Sequence, residues 1–150
     1  DGEEPLTMSY LAEALERLER YDEALHYYEK SKEMNPEIAE PWIGIGIVKE
    51  VRGELNEALA FIEHAVRIQP ENSNYRLVYA ECLYKATRID DAVVELEMAI
   101  QLDPVYSDAI VLLAAIYEEK DLQKAIDFIE SFPDLDKLES KVHLSLVGLY

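Results

Sequence analysis

Apolar residues recur along the chain with helical spacing, in segments of similar length separated by short polar stretches. Leu55, Ala58, Ile62 and Ala65, for example, fall on one face of a helix. Proline follows several of these segments, where its missing amide donor ends a helix. The pattern predicts helices over residues 6–19, 22–34, 39–52, 55–68, 73–86, 89–102, 107–119, 121–131 and 138–150.

The segments repeat with a fixed period. Pro36, Pro70 and Pro104 are equally spaced along the chain. Small residues recur at the same interval, in the columns Ala12, Gly46, Ala80, Ala114 and Ala24, Ala58, Ala92. In the fourth unit the columns resume one residue early, which a single deletion near Lys120 explains. We therefore expect one solenoid domain with units at 5–38, 39–72, 73–106 and 107–136 and a partial fifth unit from about 137.

Each unit is predicted to be a pair of antiparallel helices. Gly53 lies between two predicted helices, where a residue tolerant of positive φ is favoured. Ser73 and Ser107 are placed where N-caps are needed. Gly46 beside Ala58 should let paired helices approach closely. Because no single pair can bury its apolar face, the units must stack.

Two consecutive units share a motif. It is written Trp42-x2-Ile45-Gly46-x2-Lys49, Ala58-x3-Ile62-x2-Ala65 and Pro70 in one, and Tyr79-Ala80, Ala92-x3-Leu96-x2-Ala99 and Pro104 in the next. This motif resembles the tetratricopeptide repeat, and the resemblance extends over nearly the whole chain. That repeat has a period of about 34 residues, which matches the interval between the prolines. Departures are Lys49 in place of an aromatic residue, Met8 and Arg76 where tryptophan is common, and Pro133, which shortens the second helix of the fourth unit.

The resemblance implies an all-α fold, a right-handed superhelical solenoid of antiparallel helix pairs. The first helix of each pair would line a concave groove. Members of the family usually bind peptides or other proteins and are usually not catalytic, so the resemblance implies a protein–protein interaction scaffold or adaptor.

The charge balance narrows the class of partner. The chain has 32 acidic and 14 basic residues, a formal charge of −18. Such a field repels nucleic acid backbones and anionic membranes and favours cationic partners. No apolar run in the sequence approaches the roughly 20 residues that span a bilayer. We expect no nucleic acid or membrane partner.

First-helix positions that should face inward combine an aliphatic floor from Ile43 to Ala115 with a border of glutamates. They predict a groove for a basic amphipathic peptide or helix with aliphatic anchors. The candidate partner-binding residues are Tyr10, Glu13, Glu16, Arg17, Ile43, Ile47, Glu50, Val51, Asn74, Leu77, Val78, Glu81, Tyr84, Val111, Leu112, Ala115, Glu118 and Glu119.

Some members of the family clamp the C-terminal carboxylate of chaperone tails with Lys, Asn and Arg on successive first helices. The matching positions here are Ser9, Glu13, Gly44, Asn74 and Val78. Only the Asn74 side chain suits a carboxylate, and Glu13 would repel one. A clamp of this kind is not expected.

No pattern indicates catalysis, a cofactor or a metal site. His26, His64 and His143 lack ligand spacing, and the first two are expected to be exposed. Cys82, the only cysteine, aligns with apolar residues in the other units and is interpreted as a packing residue. Asp134-Leu135-Asp136 lacks the glycine and spacing of a calcium loop and is interpreted as a turn and helix cap.

Two other functions stay open. The region could recruit substrates to, or regulate, an enzyme of which it is a part, or it could be a secretion-type chaperone. The chain ends within an apolar helical pattern, so we expect a fragment of a longer protein. Self-association through the apolar face of 138–150 is a further expectation. With no targeting signal in the sequence, the default localisation is cytoplasmic.

Overall fold

The computed structural model describes residues 4–132. These residues form eight α-helices, whose predicted bounds are confirmed to within two residues at each end. The predicted helix 138–150, the partial fifth unit, Pro133, Asp134–Asp136 and His143 lie outside the described residues. The helices are α1 (Pro5–Arg17), α2 (Tyr21–Met34), α3 (Glu40–Val51), α4 (Leu55–Ile68), α5 (Ser73–Lys85), α6 (Ile89–Leu102), α7 (Ser107–Lys120) and α8 (Leu122–Glu130).

Consecutive helices pack in pairs, and the pairs stack along one direction. The closest packing is within α1–α2, α3–α4 and α5–α6, α7 packs on α8 less extensively, and each second helix also packs on the first helix of the next pair. First helices also contact one another, α1 with α3 and α3 with α5. The predicted all-α solenoid is confirmed. No helix within residues 4–132 is long and apolar enough to cross a membrane.

Small residues set the distance between paired helices. A Cβ on Gly46 would lie 2.5 Å from Cγ1 of Ile62 and 3.3 Å from the carbonyl oxygen of Ala58. Ala80 and Ala92 are completely buried at the equivalent approach in the next pair. The close approach predicted for α3 and α4 is therefore confirmed, and it depends on the missing side chain of Gly46.

The turns inside the first three pairs share one backbone conformation. Glu19, Gly53 and Thr87 have φ of 58°, 79° and 61°, and they occupy equivalent positions in their units. The positive φ expected for Gly53 is confirmed. The fourth pair differs, because Asp121 alone separates α7 from α8 and caps both helices with φ −161°. Its side chain accepts hydrogen bonds from the backbone N–H groups of Gln123 and Lys124 at 2.9 and 3.3 Å.

The two predicted serine caps are wrong by one residue. Ser73 and Ser107 are the first residues of their helices rather than N-caps. Asn72 caps α5 instead, since its side-chain oxygen accepts from the backbone N–H of Tyr75 at 3.1 Å. Tyr106 precedes α7 and makes no side-chain cap hydrogen bond.

Arg76 replaces the tryptophan of the preceding unit without losing its hydrogen bond. The indole Nε1–H of Trp42 donates to the carbonyl oxygen of Pro36 at 2.9 Å, and the Nε–H of Arg76 donates to that of Pro70 at 2.8 Å. Arg76 is also buried and pairs with Glu95 at 2.7 Å. The same hydrogen bond is thus made by an aromatic side chain in one unit and by a charged side chain in the next.

Candidate functional site

Two cavities lie along the side of the solenoid formed by the first helices. The first, here called the N-terminal cavity, has a volume of about 330 Å³ and is bounded by α1, α3 and α5, with one side chain from α2. The second, the C-terminal cavity, has a volume of about 440 Å³ and lies between α5 and α7. Together they form a discontinuous groove.

Most of the predicted groove residues line one of these cavities. The N-terminal cavity is lined by the predicted residues Tyr10, Glu13, Glu16, Arg17, Ile43, Ile47, Asn74 and Val78. The C-terminal cavity is lined by the predicted residues Glu81, Tyr84, Val111, Leu112 and Ala115.

The other predicted residues lie elsewhere. Leu77 is 6% exposed, belongs to the hydrophobic core and lines neither cavity, so its assignment to the groove surface is wrong. Its neighbour Val78 has the inward position instead, since adjacent residues on a helix point in different directions. Val51 is 55% exposed at the end of α3 and lines neither cavity.

Three predicted glutamates lie beside the cavities. Glu50 on α3 pairs with Lys85 on α5, and Lys85 itself lines the C-terminal cavity. Glu119 accepts a hydrogen bond from the hydroxyl of Tyr84 at 2.6 Å, which ties the end of α7 to α5. Glu118 is exposed.

Tyr28 is a wall of the N-terminal cavity that sequence reasoning missed. Its ring occupies the space beside Gly44, where any Cβ would overlap it. Its hydroxyl donates a hydrogen bond to the Glu16 carboxylate at 2.9 Å. The sequence signal was Gly44 itself, a glycine in a helix interior with no turn to explain it. Gly44 is buried beneath Tyr28 rather than open to a partner.

Ser9 is another polar residue whose surroundings the sequence did not reveal. It lines the N-terminal cavity but is buried, and its hydroxyl is 2.8 Å from that of Ser31. Ser31 in turn donates to the carbonyl oxygen of Pro5 at 2.6 Å. These bonds join α1 to α2 and hold one end of the cavity wall.

The N-terminal cavity is electrostatically negative. Burial, reinforced by Glu13, raises the pKa of Glu16 against the opposing effects of the Tyr28 hydrogen bond and Arg17. Burial also raises the pKa of Tyr75 to about 12, with further contributions from Glu40 and Glu13. The same acidic field therefore acts on groups from α1 and α5.

Only part of this negative charge is compensated within the described residues. Arg17 pairs with Glu13 at 2.6 Å. Neither Glu16 nor Glu40 makes an ion pair with a side chain in residues 4–132. A carboxylate that is desolvated without a cationic partner is costly, and a cation that entered the cavity would relieve that cost.

The C-terminal cavity is mainly apolar. Val111, Leu112 and Ala115 of α7 form its wall, and Glu81 and Asp108 contribute carboxylates. Burial raises the pKa of Glu81, with Glu50 adding to the effect and Lys85 opposing it. The aliphatic wall of this cavity favours an aliphatic ligand group.

The histidines and the cysteine of the described residues show no sign of a catalytic or metal site. His26 is exposed, as expected, but His64 is half-buried, because its ring packs against Trp42 with centroids 4.0 Å apart and the ring planes tilted by 46°. The predicted exposure of His64 is therefore wrong. Cys82 is completely buried, and burial raises the pKa of its thiol to about 11. Within residues 4–132, no group of three or more His, Cys, Asp or Glu side chains could hold a metal ion.

Comparison with known families decides the classification. Two family models, both described as tetratricopeptide repeat, match residues 5–38 and 51–116. The chain belongs to the tetratricopeptide repeat family. The matched residues include α1, α2, α4, α5 and α6 of the tetratricopeptide solenoid.

Curated relatives carry the same repeat in longer proteins. The inactive TPR repeat-containing thioredoxin TTL3 of Arabidopsis thaliana is 35% identical over 92 residues, which are 59% of this chain and 13% of the relative. The TPR repeat-containing protein YpiA of Bacillus subtilis (strain 168) is 25% identical over 120 residues, 79% of this chain and 28% of the relative. The chain thus spans less than a third of either protein.

Solved structures share the tetratricopeptide fold at low sequence identity. Pseudomonas aeruginosa PilF superposes with a TM-score of 0.84 at 20% identity, over 97% of this chain and 67% of PilF. MamA gives a TM-score of 0.78 at 16% identity, over 98% of this chain and 83% of MamA. The first TPR of Spaghetti (RPAP3), bound to the HSP90 peptide SRMEEVD, gives 0.73 at 16% identity, over 79% of this chain and 94% of that chain.

Proposed function

We propose that this tetratricopeptide solenoid is a protein-interaction scaffold that binds a basic, amphipathic segment of another protein in its groove. The observation that carries the proposal is the N-terminal cavity, which combines an aliphatic floor with the carboxylates of Glu13, Glu16 and Glu40, of which only Glu13 is ion-paired within residues 4–132, to Arg17. Aliphatic contacts would supply most of the affinity. The carboxylates would orient the segment and speed its association.

The structural neighbour bound to an HSP90 peptide supports a peptide as the type of ligand. The chemistry of the groove supports a basic rather than an acidic peptide. At the positions where some relatives hold cations for a chain-terminal carboxylate, Ser9 is hydrogen-bonded to Ser31 and Glu13 pairs with Arg17. Gly44 is covered by Tyr28, and Val78 is apolar.

The proposal is tested by blocking the floor of the groove. In an Ile47→Arg, Val78→Arg double variant, two bulky cations replace aliphatic side chains that line the N-terminal cavity. A Val94→Arg, Leu102→Arg variant is the matched control, because it makes the same chemical change at two exposed positions of α6. Both variants are first shown to be helical by circular dichroism.

Proteins captured from a lysate of the source cells are identified by mass spectrometry, and the bound segment is mapped on a peptide array. We expect the native chain and the control to retain a partner through a basic segment and the groove variant to lose it. Equal capture by all three chains would place the binding surface outside the groove.

A second function is that of a substrate-recruiting or regulatory region of a larger enzyme. The observation that favours it is the length of the relatives: the chain spans 13% and 11% of two Arabidopsis thaliana proteins whose names combine TPR repeats with thioredoxin. The full reading frame from the source organism is the test. An adjoining catalytic domain would support this function, and its absence would favour a free-standing scaffold.

Self-association is a separate proposal based on sequence, since the apolar face of 138–150 lies outside the described residues. Light scattering over a tenfold dilution tests it. A mass that falls with dilution supports pairing of two copies, and a constant monomer mass rejects it.

A further inference from the structure

The two cavities differ in chemistry, and this difference bears on which side chains each can accept. The N-terminal cavity contains Glu16 and Glu40 beside the aromatic rings of Tyr10 and Tyr75. The C-terminal cavity also has the carboxylates of Glu81 and Asp108, but Lys85 lines it as well and the wall formed by α7 is aliphatic. A ligand that enters both must therefore change character along its length.

The N-terminal cavity has the parts that a long cationic side chain requires. Ile43, Ile47 and Val78 provide an aliphatic surface for a methylene stem. Two carboxylates without an ion pair are available for the charged head group. Tyrosine faces add favourable contacts with a cation. At about 330 Å³, the cavity is at the small end of ligand sites, which suits one side chain rather than a folded element.

One of these carboxylates is held in position before any ligand arrives. The Tyr28 hydroxyl donates to Glu16 at 2.9 Å, and the Tyr28 ring is fixed in the space beside Gly44. The Glu16 oxygens therefore need little reordering to meet a cation, and a preorganised partner binds at lower entropic cost.

We propose, on the basis of the scaffold function above, that the groove has two side-chain binding sites, which accept two different residues of one bound segment. The N-terminal cavity accepts a Lys or Arg side chain, and the C-terminal cavity accepts an aliphatic side chain of the same segment. The charge of Glu16 and Glu40 selects the first residue, and the wall formed by Val111, Leu112 and Ala115 selects the second.

The two cavities are adjacent along α5. Asn74, Tyr75 and Val78 line the N-terminal cavity, and Glu81, Tyr84 and Lys85 line the C-terminal cavity further along the same helix. One segment that crosses α5 can therefore place a side chain in each cavity.

The test uses a positional-scanning library of dodecapeptides as the probe and the full chain as the target. The Glu16→Gln, Glu40→Gln variant removes both unpaired carboxylates. Its matched control is Glu33→Gln, Glu37→Gln, which makes the same change in net charge at two exposed positions away from the cavities. A Leu112→Asn variant changes the aliphatic wall. Thermal melts followed by circular dichroism establish that each variant folds.

We expect the native chain to select Lys or Arg at one position and Leu, Ile, Val or Met at another position of the same peptide. In the Glu16→Gln, Glu40→Gln variant, the preference for the basic residue should fall at least about tenfold, while the aliphatic preference is kept. Leu112→Asn should show the opposite pattern, and the Glu33→Gln, Glu37→Gln control should match the native chain.

Two kinds of failure are distinguishable. If the native chain selects basic peptides that the Ile47→Arg, Val78→Arg variant loses, but the basic preference survives the Glu16→Gln, Glu40→Gln change, the two-site assignment is overturned and the proposed scaffold function stands. If the selected peptides are not enriched in basic residues, the two-site assignment and the basic character of the proposed partner both fail, and only binding in the groove remains. If no peptide is selected, or if the blocked variant selects the same peptides, the groove function itself fails. Enrichment of acidic residues would also overturn the assignment.

Discussion

At the scale of single residues, the contact between Tyr28 and Gly44 determines the shape of the N-terminal cavity. A Gly44→Ala substitution places a methyl group where the ring now lies. The ring or the α3 backbone must move, so we expect a loss of stability of about 1–3 kcal/mol in urea unfolding. In a Tyr28→Leu background the same substitution should cost at least about 1 kcal/mol less, because the ring that causes the overlap is gone. Equal costs in the two backgrounds would show that the overlap is not the cause.

Glu16 links stability to pH. Burial raises its pKa in the folded chain, so the folded state binds its proton more readily than the unfolded chain does. The favourable contribution is complete below the unfolded pKa of about 4.3 and is lost as pH rises through the higher folded pKa. The charged and titratable groups that act on Glu16 from α1 and α2 are Glu13, Arg17 and Tyr28. Glu40 of α3 and Tyr75 of α5 line the same cavity.

We therefore expect Glu16→Gln to be more stable than the native chain at pH 7.5, since the neutral amide avoids the burial of a charge and can still accept from Tyr28. The advantage should shrink at pH 5. Urea midpoints at the two pH values measure the effect. Reduced stability of Glu16→Gln at pH 7.5 would contradict the assignment. Higher stability together with weaker peptide binding is the signature of a site kept for function.

At the scale of helices and turns, the three equivalent turns differ in strain. Thr87 adopts φ 61°, which is unfavourable for a β-branched residue, whereas Gly53 has the same conformation at little steric cost. We expect Thr87→Gly to raise the free energy of unfolding by about 1 kcal/mol. Thr87→Ala is the control, because alanine keeps a Cβ in the left-handed region and should gain little. A gain of the same size for both would point to the loss of the threonine side chain instead.

The second and third units have different side chains at equivalent packing positions, so one set can be replaced by the other. Trp42 packs against Phe61 and His64, and Arg76 makes its contacts with Glu95 and Met98, which occupy the corresponding positions of the next unit. Arg76→Trp alone should cost about 2–4 kcal/mol, because it leaves the half-buried Glu95 without its partner.

The triple variant Arg76→Trp, Glu95→Phe, Met98→His rebuilds the arrangement of the second unit. We expect it to recover stability to within about 1 kcal/mol of the native chain in urea unfolding. If the triple variant is no more stable than Arg76→Trp, the two positions are equivalent in sequence but not in packing.

The elements were largely predictable from sequence because their signals are local. Several helices end two residues before a proline or before Gly53. The register of the repeat places Ile47 and Val78 on one side of the solenoid. What depends on a neighbouring helix could not be read in this way. Leu77 and Val78 are both apolar first-helix residues, and only the packing of α5 against α4 and α6 shows which one is core. His64 is covered by a tryptophan from the other helix of its pair, and Tyr28 fills a space on another helix pair.

At the scale of the whole molecule, the formal charge of −18 should govern how a basic segment approaches. Salt screens long-range attraction, with a Debye length of about 10 Å at 0.1 M. We expect the association rate of a selected basic peptide to fall between 50 and 500 mM NaCl by about tenfold or more, while its dissociation rate changes less. Stopped-flow fluorescence measures both rates. An association rate that does not depend on salt would mean that the aliphatic contacts act alone.

The single-residue link at Asp121 has a consequence for how such a chain can diverge. In a solenoid each unit touches only its neighbours, so a change inside one unit need not disturb the others. The connection between α7 and α8 is shorter than its equivalents, yet the two helices still bury Ile110, Ala114 and Ile129 against each other. A unit of this kind can thus lose a residue from its turn with no replacement of a core residue.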